Sequence, residues 1–290
     1  MNAGQPGLLI AGHGTRDEAG ARELLILVER VRALAPGLPA AGGFIELSMP
    51  PVAAAAADLV AGGIDDIVVV PLMLLAAGHA KNDIPALIAR LRIGHPGVRF
   101  RYGRDLGLHP TLLSLIDERL ATAVPAPARR DTAVLLVGRG ASDPDANADT
   151  AKLGRLLWEG RPWPLVEVCY AGITDPRVPE GLERCRRLGA RRIVAMPYLL
   201  FGGRLEDRVH AQCAEFTAAH PEIDVRVAGH LGPCDAIAKL VLERYQEAID
   251  GDPRMNCDLC VHRVALPGFE HKLAAVAVPH FHPHDHGHPG

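Results

Sequence analysis

Residues 8–14 read LLIAGHG, an apolar run that ends abruptly at a histidine between two glycines. The same frame returns at residues 134–140 as VLLVGRG, where Arg139 stands 126 residues beyond His13. Three more segments match in the same order: FIELSMPP at 44–51 with YAGITDPR at 170–177, IVVVPLMLL at 67–75 with IVAMPYLLF at 193–201, and DLGLH at 105–109 with HLGPC at 230–234. The last pair is offset by 125 residues (105 to 230), so the register slips by one. Four matched segments predict a tandem duplication.

Each repeat alternates short apolar, β-branched runs with stretches of helical periodicity. The apolar runs predict buried strands at residues 8–11, 67–70, 98–102, 133–137, 165–170, 192–196 and 224–228. This alternation predicts an α/β fold of two duplicated lobes, each a parallel sheet flanked by helices. The lobes are expected to face a central cleft, because ligands of open α/β sheets bind beyond the carboxyl ends of the strands.

The repeat also predicts the domain organisation. Residues 1–122 are expected to form an N-terminal lobe and residues 131–252 a C-terminal lobe, joined by the Pro- and Ala-rich linker ATAVPAPARRD at 121–131. Residues 253–290 contain a CxxC motif and a His-rich tail without a packing pattern.

Composition argues against several classes of protein. The 290-residue chain has a net charge of −3 and only 4% aromatic residues. It therefore has no surplus of basic residues and few aromatic side chains on which bases could stack, which argues against nucleic-acid binding. The longest fully apolar run, Ile67–Ala77, is too short to span a bilayer, and the N-terminus lacks the pattern of a secretory signal. Six cysteines without such a signal do not indicate a disulfide framework, so we expect a cytoplasmic protein.

Three residues that can bind a metal stand at the ends of three successive apolar segments, the second of which is GGFIEL at 42–47. His13, Glu46 and His79 are each 33 residues apart (13 to 46, 46 to 79), about one strand–helix unit. Two imidazoles and a carboxylate at one edge of a sheet suit Co²⁺, Fe²⁺, Ni²⁺ or Zn²⁺ better than Ca²⁺. They could also act as acid and base. The alternative is that each is an incidental polar residue of a loop.

The second repeat keeps the frame but not these side chains. Arg139, Gly172 and Arg204 stand at the positions of the three candidates. Arginine does not bind metals at neutral pH but is the preferred partner of carboxylates, so the second lobe is predicted to bind an anionic ligand. The alternative is that both arginines are solvated surface residues.

Two common catalytic motifs do not match. GHG lacks the spacing of either phosphate-binding glycine motif, GxGxxG or GxxxxGK[ST], so it does not predict a nucleotide site. The GxSxG motif of serine hydrolases is missing from the sequence.

The C-terminal segment contains further candidate metal ligands. Cys257 and Cys260 have a spacing that suits zinc, an iron–sulfur cluster or a redox pair, and two reduced surface thiols are the alternative. A cluster usually needs four ligands, and His262, Cys234 or a second chain would supply the others. Histidines at every second position of the tail can bind Ni, Co, Cu or Zn loosely; they are His280, His282, His284, His286 and His288.

Several of these blocks together resemble one family. LLIAGHGTRDEAG at 8–20, PLMLLAAGHAKNDIP at 71–85, DLGLHP at 105–110 and MNCDLC at 255–260 are similar to motifs of the class II chelatases of tetrapyrrole biosynthesis. The match is to their long, internally duplicated CbiX-type form, and it covers about residues 8–262. The resemblance implies insertion of Co²⁺ into sirohydrochlorin for cobalamin synthesis, without ATP.

The resemblance also implies roles for particular residues. His13, Glu46 and His79 correspond to the family's catalytic and metal-site residues. Cationic groups must meet the carboxylates of sirohydrochlorin, and the candidates are Lys81, Arg139 and Arg204. An iron–sulfur centre is associated with the cysteine motif in a subset of long members, which here contains Cys257 and Cys260.

Other interpretations stay open at this point. The same fold could insert Fe²⁺ for sirohaem synthesis, since the ligand types do not separate Fe²⁺ from Co²⁺, and Ni²⁺ is also compatible. A protein of another class, a non-catalytic metallochaperone, would use the same histidines and cysteines for storage. Either a monomer or a homodimer is compatible with the sequence. Gly12 and Gly14 are expected to let a flat, bulky ligand approach the backbone near His13.

Overall fold

The computed structural model describes residues 5–251, in which strands and helices alternate. The strands are β1 (Gly7–Gly12), β2 (Ala40–Phe44), β3 (Asp66–Pro71), β4 (Arg99–Tyr102), β5 (Ala133–Gly138), β6 (Val166–Tyr170), β7 (Arg192–Pro197) and β8 (Asp224–Val227). The α-helices are α1 (Glu18–Leu34), α2 (Val52–Ala61), α3 (Ile84–Gly94), α4 (Pro110–Ala123), α5 (Pro144–Trp158), α6 (Val178–Arg187), α7 (Arg204–Ala219) and α8 (Asp235–Asp250). A π-helical turn, His79–Asp83, precedes α3, and a 3-10 helix, Ala126–Asp131, lies within the predicted linker.

The first four strands form one parallel sheet in the order β2-β1-β3-β4. Leu8 in the inner strand β1 pairs with Ala40 on one side and Val68 on the other. Every residue of β1 is buried, because helices cover both faces of a parallel sheet. On one face, side chains of the sheet such as Leu9 and Ile67 pack against α2 and α3. The side chains that follow the carboxyl ends of these strands therefore stand on a rigid support.

The second four strands repeat this arrangement in the order β6-β5-β7-β8. Val134 in β5 pairs with Val166 and Val194, which repeats the register of Leu8 one repeat later. The predicted α/β fold with two duplicated parallel sheets is confirmed.

The compact units of the structure do not follow the boundaries of the sequence repeat. One unit consists of residues 5–107 together with 234–251, and the other consists of residues 108–233. The difference arises because α8, the last helix of the second repeat, packs on α1 and β3, while α4 packs on β7. The expected lobes at 1–122 and 131–252 thus follow the sequence repeat. The first segment lacks α8, which belongs to the first packed unit, and the second lacks α4, which belongs to the second.

One arginine in each unit, on the last helix of a repeat, accompanies this exchange of helices. Arg244 of α8, with only 2% of its surface exposed, donates to the backbone carbonyls of residues 105–106 at 3.1 and 2.8 Å. Its counterpart in α4, Arg119, donates to the matching carbonyls of residues 230–231 at 2.9 and 2.8 Å. The two terminal helices therefore make equivalent contacts, each with the sheet of the other repeat.

In the described part of the chain, no helix combines the length and apolar character needed to cross a bilayer. The predicted sites at Cys257 and Cys260, and those in the tail from His280 to His288, lie outside the described residues.

Candidate metal centre

His13 is held at the end of β1 by two glycines that the packing requires. A Cβ atom at Gly12 would lie 2.1 Å from Leu24 Cδ1 of α1. Gly14 has a φ of +100°, and a Cβ atom there would lie 1.7 Å from the backbone oxygen of Glu46. The expectation that these glycines make room for a ligand is thus corrected, because the protein's own chain fills the space beside them.

The loop after β1 is tied directly to the loop after β2. The Glu46 amide donates to the His13 carbonyl at 3.1 Å. The Ser48 hydroxyl accepts from the Thr15 amide at 2.9 Å and donates to the Thr15 carbonyl at 2.6 Å. These bonds fix the distance between the backbones that carry His13 and Glu46.

A tight turn follows Glu46. The Ser48 amide donates to the Glu46 carbonyl at 2.7 Å, and Leu47 between them has a φ of +63°. A three-residue turn with this left-handed centre is the rare γ-turn, which costs conformational energy in a branched residue. Backbone strain of this kind is found at functional sites, where the surrounding structure enforces it.

His79 begins the π-helical turn that precedes α3. The Ile84 amide bonds to the His79 carbonyl, which closes this wider turn. Asp83, at the end of the turn, places its Oδ2 atom 2.6 Å from His79 Nδ1. Tyr102, at the end of β4, donates its hydroxyl to the Ala80 carbonyl at 2.5 Å. Short π-helical turns in proteins often mark functional sites.

The fold brings His13, Glu46 and His79 together in one cluster. Each offers a ligand atom, and the three atoms lie within 4.8 Å of one another. His13 Nδ1 is 3.2 Å from Glu46 Oε1, and the two imidazole rings are 4.0 Å apart between centroids. The side chains are 24%, 15% and 20% exposed, so the cluster is half-buried and still reachable. Two imidazoles and one carboxylate with open positions suit a divalent transition metal such as Fe²⁺ or Co²⁺.

Comparison of the sequence with known proteins identifies the family of this chain. A sequence model of the CbiX family matches residues 7–123 and, a second time, residues 133–248. The chain belongs to the CbiX family. The two matches coincide with the two repeats, so each repeat carries the CbiX pattern.

Individual relatives of the chain include chelatases for two metals. The chain is 38% identical over 273 residues to a sirohydrochlorin cobaltochelatase of Priestia megaterium, covering 89% of this chain and 85% of the relative. It is 30% identical over 241 residues to a sirohydrochlorin ferrochelatase of Bacillus subtilis, which covers 83% of this chain and 90% of the relative. The structure of the sirohydrochlorin chelatase SirB from Bacillus subtilis subspecies spizizenii, in complex with cobalt, matches with a TM-score of 0.72 and 28% identity, covering 85% and 96%.

The predicted cationic residues lie in equivalent parts of the two repeats. Lys81 is half-buried inside the π-helical turn. Arg139 is exposed directly after β5, and Arg204 is exposed as the first residue of α7. All three therefore follow the carboxyl ends of strands, and their binding role stays a prediction.

The sequence patterns identified the three residues of the cluster but not the residues whose hydrogen bonds position them. Asp83, Tyr102 and Ser48 were not singled out. For Asp83 a signal existed, since it lies four residues after His79 in HAKND and residues at that spacing share a helix face. Neither Ser48 nor Tyr102 has a comparable signal, because their partners are backbone atoms distant in sequence or on another element.

Proposed function

We propose that this protein is a sirohydrochlorin cobaltochelatase, which inserts Co²⁺ into sirohydrochlorin without a nucleotide. The observation that carries the proposal is the cluster of His13, Glu46 and His79 in a chain 38% identical to a cobaltochelatase over most of its length. The metal is a substrate of the reaction and leaves with the product.

The reaction exchanges two pyrrole protons for one divalent cation. The metal must be presented to one face of the macrocycle, and two N–H bonds must break as two metal–nitrogen bonds replace them. The protons go to basic groups beside that face and then to water. These tasks need metal ligands and proton acceptors at the same place, and imidazole and carboxylate serve as both.

The cluster divides these tasks among its members. His13 and His79 hold Co²⁺ through ring nitrogens, and Glu46 adds a carboxylate oxygen. Glu46 Oε1 lies 3.2 Å from His13 Nδ1, so a base that can accept a proton stands beside the ring. Because the side chains are only half-buried, the metal can be released once the macrocycle binds it.

The carboxylates of sirohydrochlorin need cationic partners. Lys81 lies two residues from His79, and Arg139 and Arg204 occupy the places of the metal ligands in the second repeat. Guanidinium groups bind carboxylates in a bidentate manner, so these arginines suit an anionic macrocycle better than they suit a metal.

Insertion of Fe²⁺ is the second candidate, favoured by the 30% identity to a ferrochelatase. The two functions separate when wild-type protein and sirohydrochlorin are mixed with Co²⁺, or with Fe²⁺ under anaerobic conditions, and the visible spectrum is followed. Faster metallation with Co²⁺ is expected. Faster metallation with Fe²⁺ would replace the proposal, and metal binding without metallation would indicate a metallochaperone.

Substitution of the ligands tests the site itself. His13→Ala and His79→Ala are each expected to abolish insertion, because two remaining ligands do not hold the metal in place. Sirohydrochlorin binding, followed by its change in absorbance, is expected to stay near the wild-type level. The matched control is His95→Ala, at the end of α3 and outside the cluster, which should metallate normally. Wild-type rates in both ligand variants would refute the assignment.

The possible iron–sulfur cluster at Cys257 and Cys260 and the accessory metal tail stay predictions, since both lie outside the described residues.

A further inference from the structure

One carboxylate that lies beside the cluster is not among its ligands. Asp83 Oδ2 is 2.6 Å from His79 Nδ1, and the Asp83 side chain is 11% exposed. A carboxylate on one ring nitrogen of a histidine keeps the proton there and directs the lone pair of the other nitrogen outward. Such partners orient metal-binding histidines in many proteins.

The π-helical turn explains how Asp83 reaches this position. His79 begins the turn and Asp83 ends it, and the bond from the Ile84 amide to the His79 carbonyl spans five residues. The turn is secured from outside by the bond between the Tyr102 hydroxyl and the Ala80 carbonyl. The histidine ring is thus held by Asp83, and its backbone by Tyr102.

The second repeat provides an internal comparison. At the offset of 125 residues, Arg204 replaces His79, Arg208 replaces Asp83 and Val227 replaces Tyr102. The same segment there is the regular α-helical start of α7. The ligand, its carboxylate partner, the hydroxyl anchor and the wider turn are therefore all absent together from a unit that keeps the same sheet.

We propose that Asp83 is a positioning residue for metal capture: it fixes the orientation and tautomer of His79 so that Nε2 faces the metal, and Tyr102 holds the turn that makes this possible. The inference deepens the proposed function and rests on it for the role of His79 as a metal ligand. Asp83 itself does not bind the metal.

The test uses Co²⁺ alone, without the macrocycle. Asp83→Ala is expected to weaken Co²⁺ binding by about 10- to 100-fold in calorimetric titration, the usual effect of removing such a partner. The visible d–d spectrum of bound Co²⁺ should change, because a reoriented ring alters the ligand geometry. Asp83→Asn keeps an oxygen acceptor for the Nδ1 proton and should restore affinity to within a few fold of wild type.

The matched control is Glu206→Ala. Glu206 lies 2.9 Å from His230 Nδ1, so it forms the same kind of pair in the second unit, outside the metal cluster. This variant should bind Co²⁺ like the wild type. If Asp83→Ala does not fold, Tyr102→Phe tests the same idea, since loss of the hydroxyl anchor should also weaken Co²⁺ binding and alter the spectrum.

The outcomes separate this inference from the proposed function. Unchanged Co²⁺ affinity and spectrum in a folded Asp83→Ala variant, or in Tyr102→Phe if that variant is the one that folds, would overturn the positioning role. A wild-type protein that binds Co²⁺ but does not metallate sirohydrochlorin would overturn the proposed function while leaving the effect of Asp83 on metal binding measurable.

Discussion

At the scale of single residues, the proposed metal site depends on backbone positions as much as on the side chains of His13, Glu46 and His79. Gly14 allows the loop of His13 to touch the backbone of Glu46, at a φ of +100° that favours glycine. Leu47 takes a left-handed conformation immediately after Glu46. Two loops in contact therefore set the positions of His13 and Glu46, and we expect a change in either loop to displace a proposed ligand.

Gly14→Ala tests this dependence. The added Cβ atom would lie 1.7 Å from the Glu46 oxygen, so the loops must separate, and Co²⁺ affinity should fall by about tenfold or more. Gly37→Ala is the matched control, because Gly37 has a similar φ of +90° but no atom within 4 Å of an added Cβ. Both variants should lose about 1 kcal/mol or more of stability from backbone strain, measured by urea unfolding. Equal Co²⁺ affinity in the two variants would contradict the argument.

The three residues of the cluster could be singled out from the sequence, but the contacts that support them could not. His13, Glu46 and His79 follow apolar runs at regular spacing, and parallel strands bring such positions to one edge. The bonds of Ser48 to Thr15 and of Tyr102 to Ala80 involve backbone atoms, and every residue has a backbone amide and carbonyl. The residue types of Thr15 and Ala80 therefore do not predict these contacts.

At the scale of secondary-structure elements, equivalent segments of the two repeats differ in helix type. Residues 79–83 form a π-helical turn, whereas the matching residues begin the regular helix α7. Apolar periodicity does not reveal this difference, because one extra residue per turn barely changes the pattern over five residues. Tertiary partners such as Tyr102 stabilise the wider turn.

Three elements of the second unit also contribute buried thiols to one apolar core. Cys169 of β6, Cys185 of α6 and Cys213 of α7 are each almost completely buried. Burial raises the pKa of all three thiols because it disfavours the thiolate, and it raises the pKa of Cys185 and Cys213 to about 12. These thiols are structural apolar groups at neutral pH.

The raised pKa values predict that stability falls at alkaline pH. Below the ordinary thiol pKa of about 8.5 the thiols are protonated in both states, so their contribution to stability is fully present. Above it the unfolded chain loses protons that the folded chain keeps, and each thiol should cost about 2 kcal/mol of stability by pH 10. Urea unfolding between pH 7.5 and 10 measures this slope. The double variant Cys185→Ala, Cys213→Ala should show a shallower decline, and an identical slope would count against the assignment.

At the scale of the whole molecule, the repeat and the packed unit are different segments of the chain. Residues 108–233 form one unit without interruption, whereas the other unit is assembled from two separate segments. Helix α4 therefore belongs to the first repeat by sequence and to the second sheet by packing.

Two fragments of similar length test this arrangement. Residues 108–233 contain α4 and a complete unit, so this fragment should fold cooperatively as judged by circular dichroism and urea unfolding. Residues 131–252 match the repeat but lack α4 with its fully buried Leu112, Ile116 and Leu120. Losing three such side chains removes roughly 5 kcal/mol or more of burial free energy, comparable with the stability of a whole domain.

The fragment 131–252 is therefore expected to unfold, or to pair with a second copy that supplies the missing packing. Size-exclusion chromatography with light scattering distinguishes these states. A stable, folded monomer of residues 131–252 would show that the exchanged helix is dispensable.

The amino-acid sequence by itself determined the duplication, the α/β alternation and the three residues of the metal cluster. These follow from local patterns, since apolar periodicity specifies strands and helices and the strand ends specify where polar residues meet. Only the tertiary structure decided which sheet each terminal helix covers, because α4 and α8 have equivalent positions in the repeat and similar apolar faces. It also decided how Ser48 and Tyr102 support the cluster, since their contacts are made with backbone atoms brought together by folding.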